Sequence, residues 1–63
     1  MITFIYTGRP TRGQTTRDIK LPNSQGGFTI YENIQPNVTE IVTSDTIEIA
    51  HMQKYPSNFE QQA

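Results

Sequence analysis

The chain has 63 residues, a net charge of -1, no cysteine and one histidine. A chain of this length forms at most one domain and buries only about 60% of its unfolded surface. Without cysteine it can form neither a disulfide nor a thiolate metal site, and one histidine cannot build a zinc site alone. Association with other subunits is then the remaining means of stabilising so small a core.

The N-terminal sequence MITFIYTGRP lacks the basic segment and long apolar core of a signal peptide. No stretch approaches the ~20 apolar residues of a membrane span. We therefore expect a protein made and kept in a cytosol, with no membrane partner.

Residues 1–27 carry four basic residues and one acidic residue, whereas residues 28–63 carry one basic and five acidic residues. This separation of basic and acidic residues either steers subunits towards each other, or the opposite charges neutralise each other within one fold.

The N-terminal residues predict a strand followed by a loop. Residues 2–6 (ITFIY) are β-branched and aromatic, which favours a strand. Gly8 and Pro10 then indicate a turn, in which Gly8 is expected to supply a positive φ. Residues 9–16 are polar and show no periodicity, which predicts a flexible loop.

A β-hairpin is predicted next. Residues 16–21 (TRDIKL) end in apolar and polar residues that alternate, as in a half-buried strand. Residues 22–27 (PNSQGG) are a dense cluster of turn residues. Residues 28–32 (FTIYE) follow as the second strand, with Phe28 and Ile30 on one face.

A fourth strand and a helix complete the predicted order. Residues 38–43 (VTEIVT) favour a strand. Asp45 and Glu48 match a capping box, in which the aspartate accepts from free N–H groups and the glutamate reaches back. A short helix at 46–54 would then end before Pro56.

Residues 46–54 could also form a strand, because Ile47 and Ile49 alternate with polar residues; we prefer the helix.

The predicted fold is mainly β, with one small domain at residues 1–56. It is a curled sheet or SH3-like partial barrel of four to five strands with a short C-terminal helix. Residues 57–63 are polar except for one phenylalanine and are predicted to form a C-terminal tail.

Catalytic residues are few. His51 is the only imidazole and is expected to lie at the surface. Asp45 and Glu48 could form a carboxylate pair, but helix capping explains them more simply. Asp18 is expected to be a solvated cross-strand partner. Because a catalytic site needs convergent groups, the sequence predicts no enzyme, no cofactor and no metal.

The sequence says more about protein interfaces than about catalysis. Phe59 and Tyr55 are aromatic residues in polar surroundings, and aromatic residues often anchor interfaces. Phe59 either fills a neighbour's pocket or closes the chain's own core. Arg9 and Arg12 form a second candidate contact, because arginine pairs with a neighbour's carboxylates in a fork. In the free monomer the same loop could simply be solvated.

Four segments resemble very short structural proteins of tailed bacteriophages. They are residues 4–8 (FIYTG), 27–30 (GFTI), 41–45 (IVTSD) and 55–59 (YPSNF). The resemblance implies a virion subunit present in many copies, which decorates the capsid or lies at the head–tail junction or in the tail. Its expected partners are viral structural proteins, with a homo-oligomer possible, and it would be made in the host cytoplasm.

A regulator or single-stranded nucleic-acid binder acting in the host cell is the alternative. Small β-barrels bind single strands through aromatic residues on a sheet face beside a basic groove. The residues that would serve here are Arg9, Arg12, Arg17, Lys20, Tyr6 and Tyr31. The chain is slightly acidic overall, whereas nucleic-acid-binding domains are usually basic, so nucleic acid is the less favoured partner.

Overall fold

The computed structural model describes residues 1–10 and 12–62. Over these residues the fold is mainly β with one short helix, as predicted. The elements are β1 (Ile2–Tyr6), β2 (Arg17–Pro22), β3 (Phe28–Ile34), β4 (Glu40–Thr43), α1 (Thr46–Lys54) and β5 (Phe59–Gln61). The strands form two antiparallel sheets, one in the order β4-β1-β5 and the other of β2 and β3.

The predicted hairpin is confirmed as the two-stranded sheet. Leu21 pairs with Thr29, and Pro22 pairs with Phe28. The turn between them contains Gly26 at a φ of 85°, a conformation that glycine adopts without steric cost. The register shifts between the pairs Ile19–Tyr31 and Arg17–Ile34, because β3 has one more residue than β2 over this interval. Asn33, within it, has a φ of 57°.

Within the predicted C-terminal tail, residues 59–61 form β5 on the edge of β1. Tyr6 pairs with Phe59, and the N–H of Gln62 donates to the carbonyl of Thr3 at 2.8 Å. The carbonyl of Tyr55 accepts from the N–H of Phe59 at 3.1 Å, which turns the chain back after the helix. The domain therefore extends beyond Gln61, while the last residue of the predicted tail, Ala63, lies outside the described residues.

One apolar core lies between the two sheets and the helix. Its buried members are Phe4, Tyr6, Ile19, Leu21, Ile34, Ile41, Met52 and Phe59. The Phe59 ring lies 5.4 Å from the Tyr6 ring, centroid to centroid, in a tilted arrangement, and only 7% of the residue is exposed. Of the two alternatives for this side chain, the structure shows that it fills the chain's own core.

Gly8 is needed for space and does not have the positive φ expected from the sequence. Among the described glycines, positive φ angles occur at Gly13 and Gly26. A Cβ atom at Gly8 would lie 2.2 Å from the hydroxyl oxygen of Tyr6, far inside van der Waals contact. Because Tyr6 is buried, its ring has little room to move aside.

The predicted helix begins after Asp45, whose side chain caps it as expected. Its Oδ1 accepts from the N–H groups of Ile47 at 2.9 Å and Glu48 at 3.1 Å. The second half of the predicted capping box is wrong, because the Glu48 carboxylate turns towards the hairpin. Asp45 also reaches the hairpin, accepting from the Ser24 hydroxyl at 2.8 Å and from its N–H at 3.0 Å.

Asp45→Ala should lower the thermal midpoint by several degrees, whereas Asp45→Asn should lower it less, because asparagine caps a helix equally well. Hydrogen bonds from the Ser24 N–H and hydroxyl hold the pKa of Asp45 below its usual 3.8. The charged form is favoured in the folded state, so this stabilisation is present above the usual pKa. It is lost as pH falls through the lowered value.

Thermal unfolding followed by circular dichroism at about pH 7 and about pH 2 measures both effects. The difference between wild type and Asp45→Asn should shrink at the lower pH. A difference that stays constant with pH would contradict the contribution of the charge.

Candidate protein-interaction surface

The first part of β3 turns two apolar side chains outward, those of Phe28 and Ile30. Phe28 and Ile30 are each 59% exposed, whereas the alternate residues Thr29 and Tyr31 face the interior. The sequence places Phe28 and Ile30 on one face, and the structure shows that this face is exposed. Large apolar side chains grouped on a surface are typical of interaction sites.

The outer hairpin face also includes two residues of β2. It consists of Lys20, Pro22, Phe28, Ile30 and Glu32, the residues that point away from the core on the two strands. Lys20 pairs with Ile30, and its ammonium lies 4.3 Å from the centroid of the Phe28 ring, a cation–π contact. The middle of this face is therefore apolar, with one positive charge held against an aromatic ring.

Polar contacts beneath β3 explain its orientation. Glu48 of α1 is only 4% exposed, and a buried carboxylate needs hydrogen-bond donors. Its Oε2 accepts from the Thr29 hydroxyl at 2.9 Å, and its Oε1 accepts from the Tyr31 hydroxyl. Because strand side chains alternate between faces, inward Thr29 and Tyr31 place Phe28 and Ile30 outside.

We call this network the hairpin clamp, formed by Asn23, Ser24, Thr29, Tyr31, Asp45 and Glu48. Asn23 extends it by donating from Nδ2 to the Thr29 hydroxyl at 3.0 Å. Two carboxylates at the start of α1 thus hold the hairpin: the N-cap Asp45 at its turn and Glu48 beneath β3. No buried side-chain nitrogen or oxygen in residues 1–10 and 12–62 lacks a hydrogen-bond partner.

Burial and the hydrogen bond to Glu48 raise the pKa of Tyr31 to about 12, from the usual 10.0. The neutral phenol is thus favoured in the folded state. Its contribution to stability is complete below pH 10.0 and is lost as pH rises towards 12.

A spectrophotometric titration near 295 nm should show this shift directly. The difference between wild type and Tyr31→Phe isolates this phenol and should have a midpoint near 12. Glu48→Gln should lower that midpoint, because it removes the neighbouring negative charge. A midpoint near 10 in folded wild type would contradict the buried hydrogen bond.

The four interface residues predicted from the sequence lie in different settings. Arg9 and Arg12 are exposed, and the Arg9 carbonyl accepts from the Arg17 guanidinium at 3.4 Å. Tyr55 is 41% exposed at the end of α1, where its ring lies 5.0 Å from that of His51. Phe59 is buried and is not available to a partner. Thr11, within the predicted contact loop, lies outside the described residues.

The sequence reasoning missed Phe28 and Ile30 as surface residues. Apolar residues that alternate along a strand usually face the core. The signal against burial is the polar character of Glu48, which needs donors from the other face of the strand. That link can be recognised only when α1 is known to lie beneath β3.

His51 borders a cleft of about 190 Å³ with Arg17, Asp18 and Asn58 among its lining residues. Within residues 1–10 and 12–62, no three histidine, aspartate or glutamate residues are grouped so as to hold a metal ion. In the same residues no helix has the length and apolar character needed to cross a membrane.

Comparisons with protein-family models, curated proteins and solved structures find no match to this chain.

Proposed function

We propose that this chain is a structural protein that binds and cements neighbouring subunits of a bacteriophage particle, as capsid decoration or as a head–tail or tail component. The proposal combines the resemblance of four sequence segments to short phage structural proteins with one structural observation. That observation is the outer hairpin face, where Phe28 and Ile30 are each 59% exposed.

The outer hairpin face suits a protein partner better than solvent. Burying a large apolar side chain contributes about 1.5–3 kcal/mol, so a partner covering Phe28 and Ile30 gains stability. Lys20 lies beside them and can pair with a partner's carboxylate. Arg9, Arg12 and Tyr55 remain exposed and are proposed as secondary contacts.

Mass spectrometry of purified phage particles tests this function, because a virion subunit is present in a fixed number of copies per particle. Ile30→Thr should reduce retention of the chain on particles. Val38→Thr is the matched control, since Val38 is 66% exposed but lies outside the outer hairpin face. Particles that lack the chain would refute the proposal, and equal retention of both variants would refute the assigned surface.

A single-stranded nucleic-acid binder is the second candidate, and an exposed aromatic ring beside a lysine on a sheet face favours it. Two observations weaken it, because Tyr6 is buried and Tyr31 faces Glu48, which leaves Phe28 alone on this face. A gel shift with single-stranded DNA and RNA decides between the candidates. Binding that weakens steeply with added salt would support the nucleic-acid reading.

A further inference from the structure

We infer that the partner of β3 is β3 of a second copy of this chain, paired antiparallel across a two-fold axis. This inference rests on the proposed function in so far as it names one of the subunits that the chain binds. The two hairpins would then form one four-stranded sheet in the order β2-β3-β3′-β2′, where the prime denotes the second copy.

The hydrogen-bond pattern of the hairpin shows which backbone groups point to the free edge. The N–H of Asn23 donates to the carbonyl of Gly27 at 3.0 Å, so this pair is hydrogen-bonded. Because antiparallel pairs alternate, the pair of Leu21 and Thr29 is also hydrogen-bonded, and the pairs centred on Phe28 and Ile30 are not. The N–H and C=O groups of Phe28 and Ile30 and the N–H of Glu32 therefore point away from β2.

These outward backbone groups have no other partner in the described part of the chain. None of the turn, loop or side-chain hydrogen bonds there involves the backbone of Phe28, Ile30 or Glu32. The strand offers alternate N–H and C=O groups over five residues, which is the surface that strand addition uses. Its apolar side chains are exposed at the same residues.

The other strand edges carry features that oppose pairing. On β2, Pro22 has no N–H to donate at the free edge, and Lys20 is charged. β4 has four residues and β5 has three. Short strands, lysine and proline all protect edges from association, and residues 28–32 contain neither lysine nor proline.

The strand is complementary to itself when the two-fold axis passes beside Ile30. Ile30 then pairs with its own copy, and Phe28 pairs with Glu32 of the second copy. The central Ile30 pair exchanges two hydrogen bonds, and the outward N–H of Glu32 in each copy donates to the C=O of Phe28 in the other. The side chains are also compatible with this register, because the two Ile30 residues meet at the centre of one apolar face.

Charge supports the same register. Lys20 holds its ammonium 4.3 Å from the Phe28 ring centroid, and Glu32 of the second copy would lie directly opposite that ring. The lysine of one copy and the glutamate of the other then meet across Phe28, twice by symmetry. Such pairs fix the register and orientation of an interface.

Sedimentation equilibrium of the purified chain tests the dimer, with hydrogen exchange to locate it. The wild type should dimerise with increasing concentration. The amides of Phe28, Ile30 and Glu32 should become protected only in the dimer, while those of Thr29 and Tyr31 stay protected in both forms. A chain that is monomeric at millimolar concentration, or a dimer in which the three outward amides stay unprotected, would overturn the inference.

Ile30→Pro removes the central donor of each copy without removing a bond to β2. Losing two hydrogen bonds of about 1 kcal/mol each should weaken dimerisation by about 30-fold or more. Thr46→Pro is the matched control, because proline is tolerated at the first position of a helix. It should leave the dimer intact, and equal loss in both variants would count against the β3 interface.

Exchanging the charges of Lys20 and Glu32 provides a second test of the dimer if Ile30→Pro does not fold. Lys20→Glu and Glu32→Lys should each weaken the dimer, and the double variant should restore it. Failure of the double variant to restore dimerisation, with each variant shown to be folded by circular dichroism, would reject this register. A monomeric chain found in particles would refute only the dimer, and a dimer absent from particles would refute only the virion function.

Discussion

Glu48→Ala should lower the free energy of unfolding by about 3 kcal/mol, because it removes the acceptor of two buried hydrogen bonds. A hydrogen bond to a charged group contributes about 1.5–3 kcal/mol, and the hydroxyls of Thr29 and Tyr31 would both lose their acceptor. Small domains have a total stability of about 0.05–0.15 kcal/mol per residue. The variant is therefore expected to be close to unfolding.

Urea denaturation followed by circular dichroism measures this loss, and two variants separate its causes. Glu48→Gln keeps an acceptor for the Tyr31 hydroxyl, so its cost should be smaller, about 1 kcal/mol. Glu40→Ala removes an exposed glutamate of β4 and should change stability by less than about 0.5 kcal/mol. A loss for Glu48→Ala no larger than that for Glu40→Ala would show that the hairpin clamp does not stabilise the fold.

The hairpin clamp also predicts coupling between its members. Tyr31→Phe removes one donor, and its cost should be much smaller when Glu48 is already alanine. A double-mutant cycle measures this interaction energy, which residues in one buried network usually show at about 0.5–3 kcal/mol. Additive losses would mean that the two side chains act independently.

Phe59→Ala should cost about 3–5 kcal/mol in the isolated chain, because it leaves a cavity beside the ring of Tyr6. The loss should occur without any partner, since Phe59 fills the chain's own core. Tyr55→Ala is the matched control from the same C-terminal segment. Tyr55 is 41% exposed, so its replacement should change stability by less than about 0.5 kcal/mol.

Thermal and urea unfolding of both variants distinguishes a core residue from an interface anchor. Should the isolated Phe59→Ala chain remain as stable as wild type, the core assignment would be wrong. Tyr55→Ala is instead expected to show its effect, if any, in binding to particles. The two aromatic residues, which the sequence treats alike, are thus separated by one comparison.

Local sequence patterns were sufficient for the elements that depend on near neighbours. The turn cluster after Pro22 predicted the hairpin, and Asp45 before the polar-apolar run predicted the start of α1. Both depend on backbone preferences and hydrogen bonds within a few residues. The sequence therefore determined the mainly β class, the hairpin and the helix.

Tertiary structure decided which face of β3 is exposed, because alternation gives two faces without saying which is inside. The buried Glu48 draws Thr29 and Tyr31 inward, so Phe28 and Ile30 remain outside. This choice involves residues far apart in the chain. It is also the choice that creates the outer hairpin face, the surface on which the proposed function depends.

The C-terminal segment shows the same division between local and long-range information. Its polar composition indicated a tail, but pairing of Phe59 with Tyr6 makes it a strand of the three-stranded sheet. Short strands carry little signal of their own, because the pairing partner supplies the hydrogen bonds. The sequence by itself determined the first four strands, the helix and the absence of disulfides, while packing between distant residues decided the fifth strand and the exposed face.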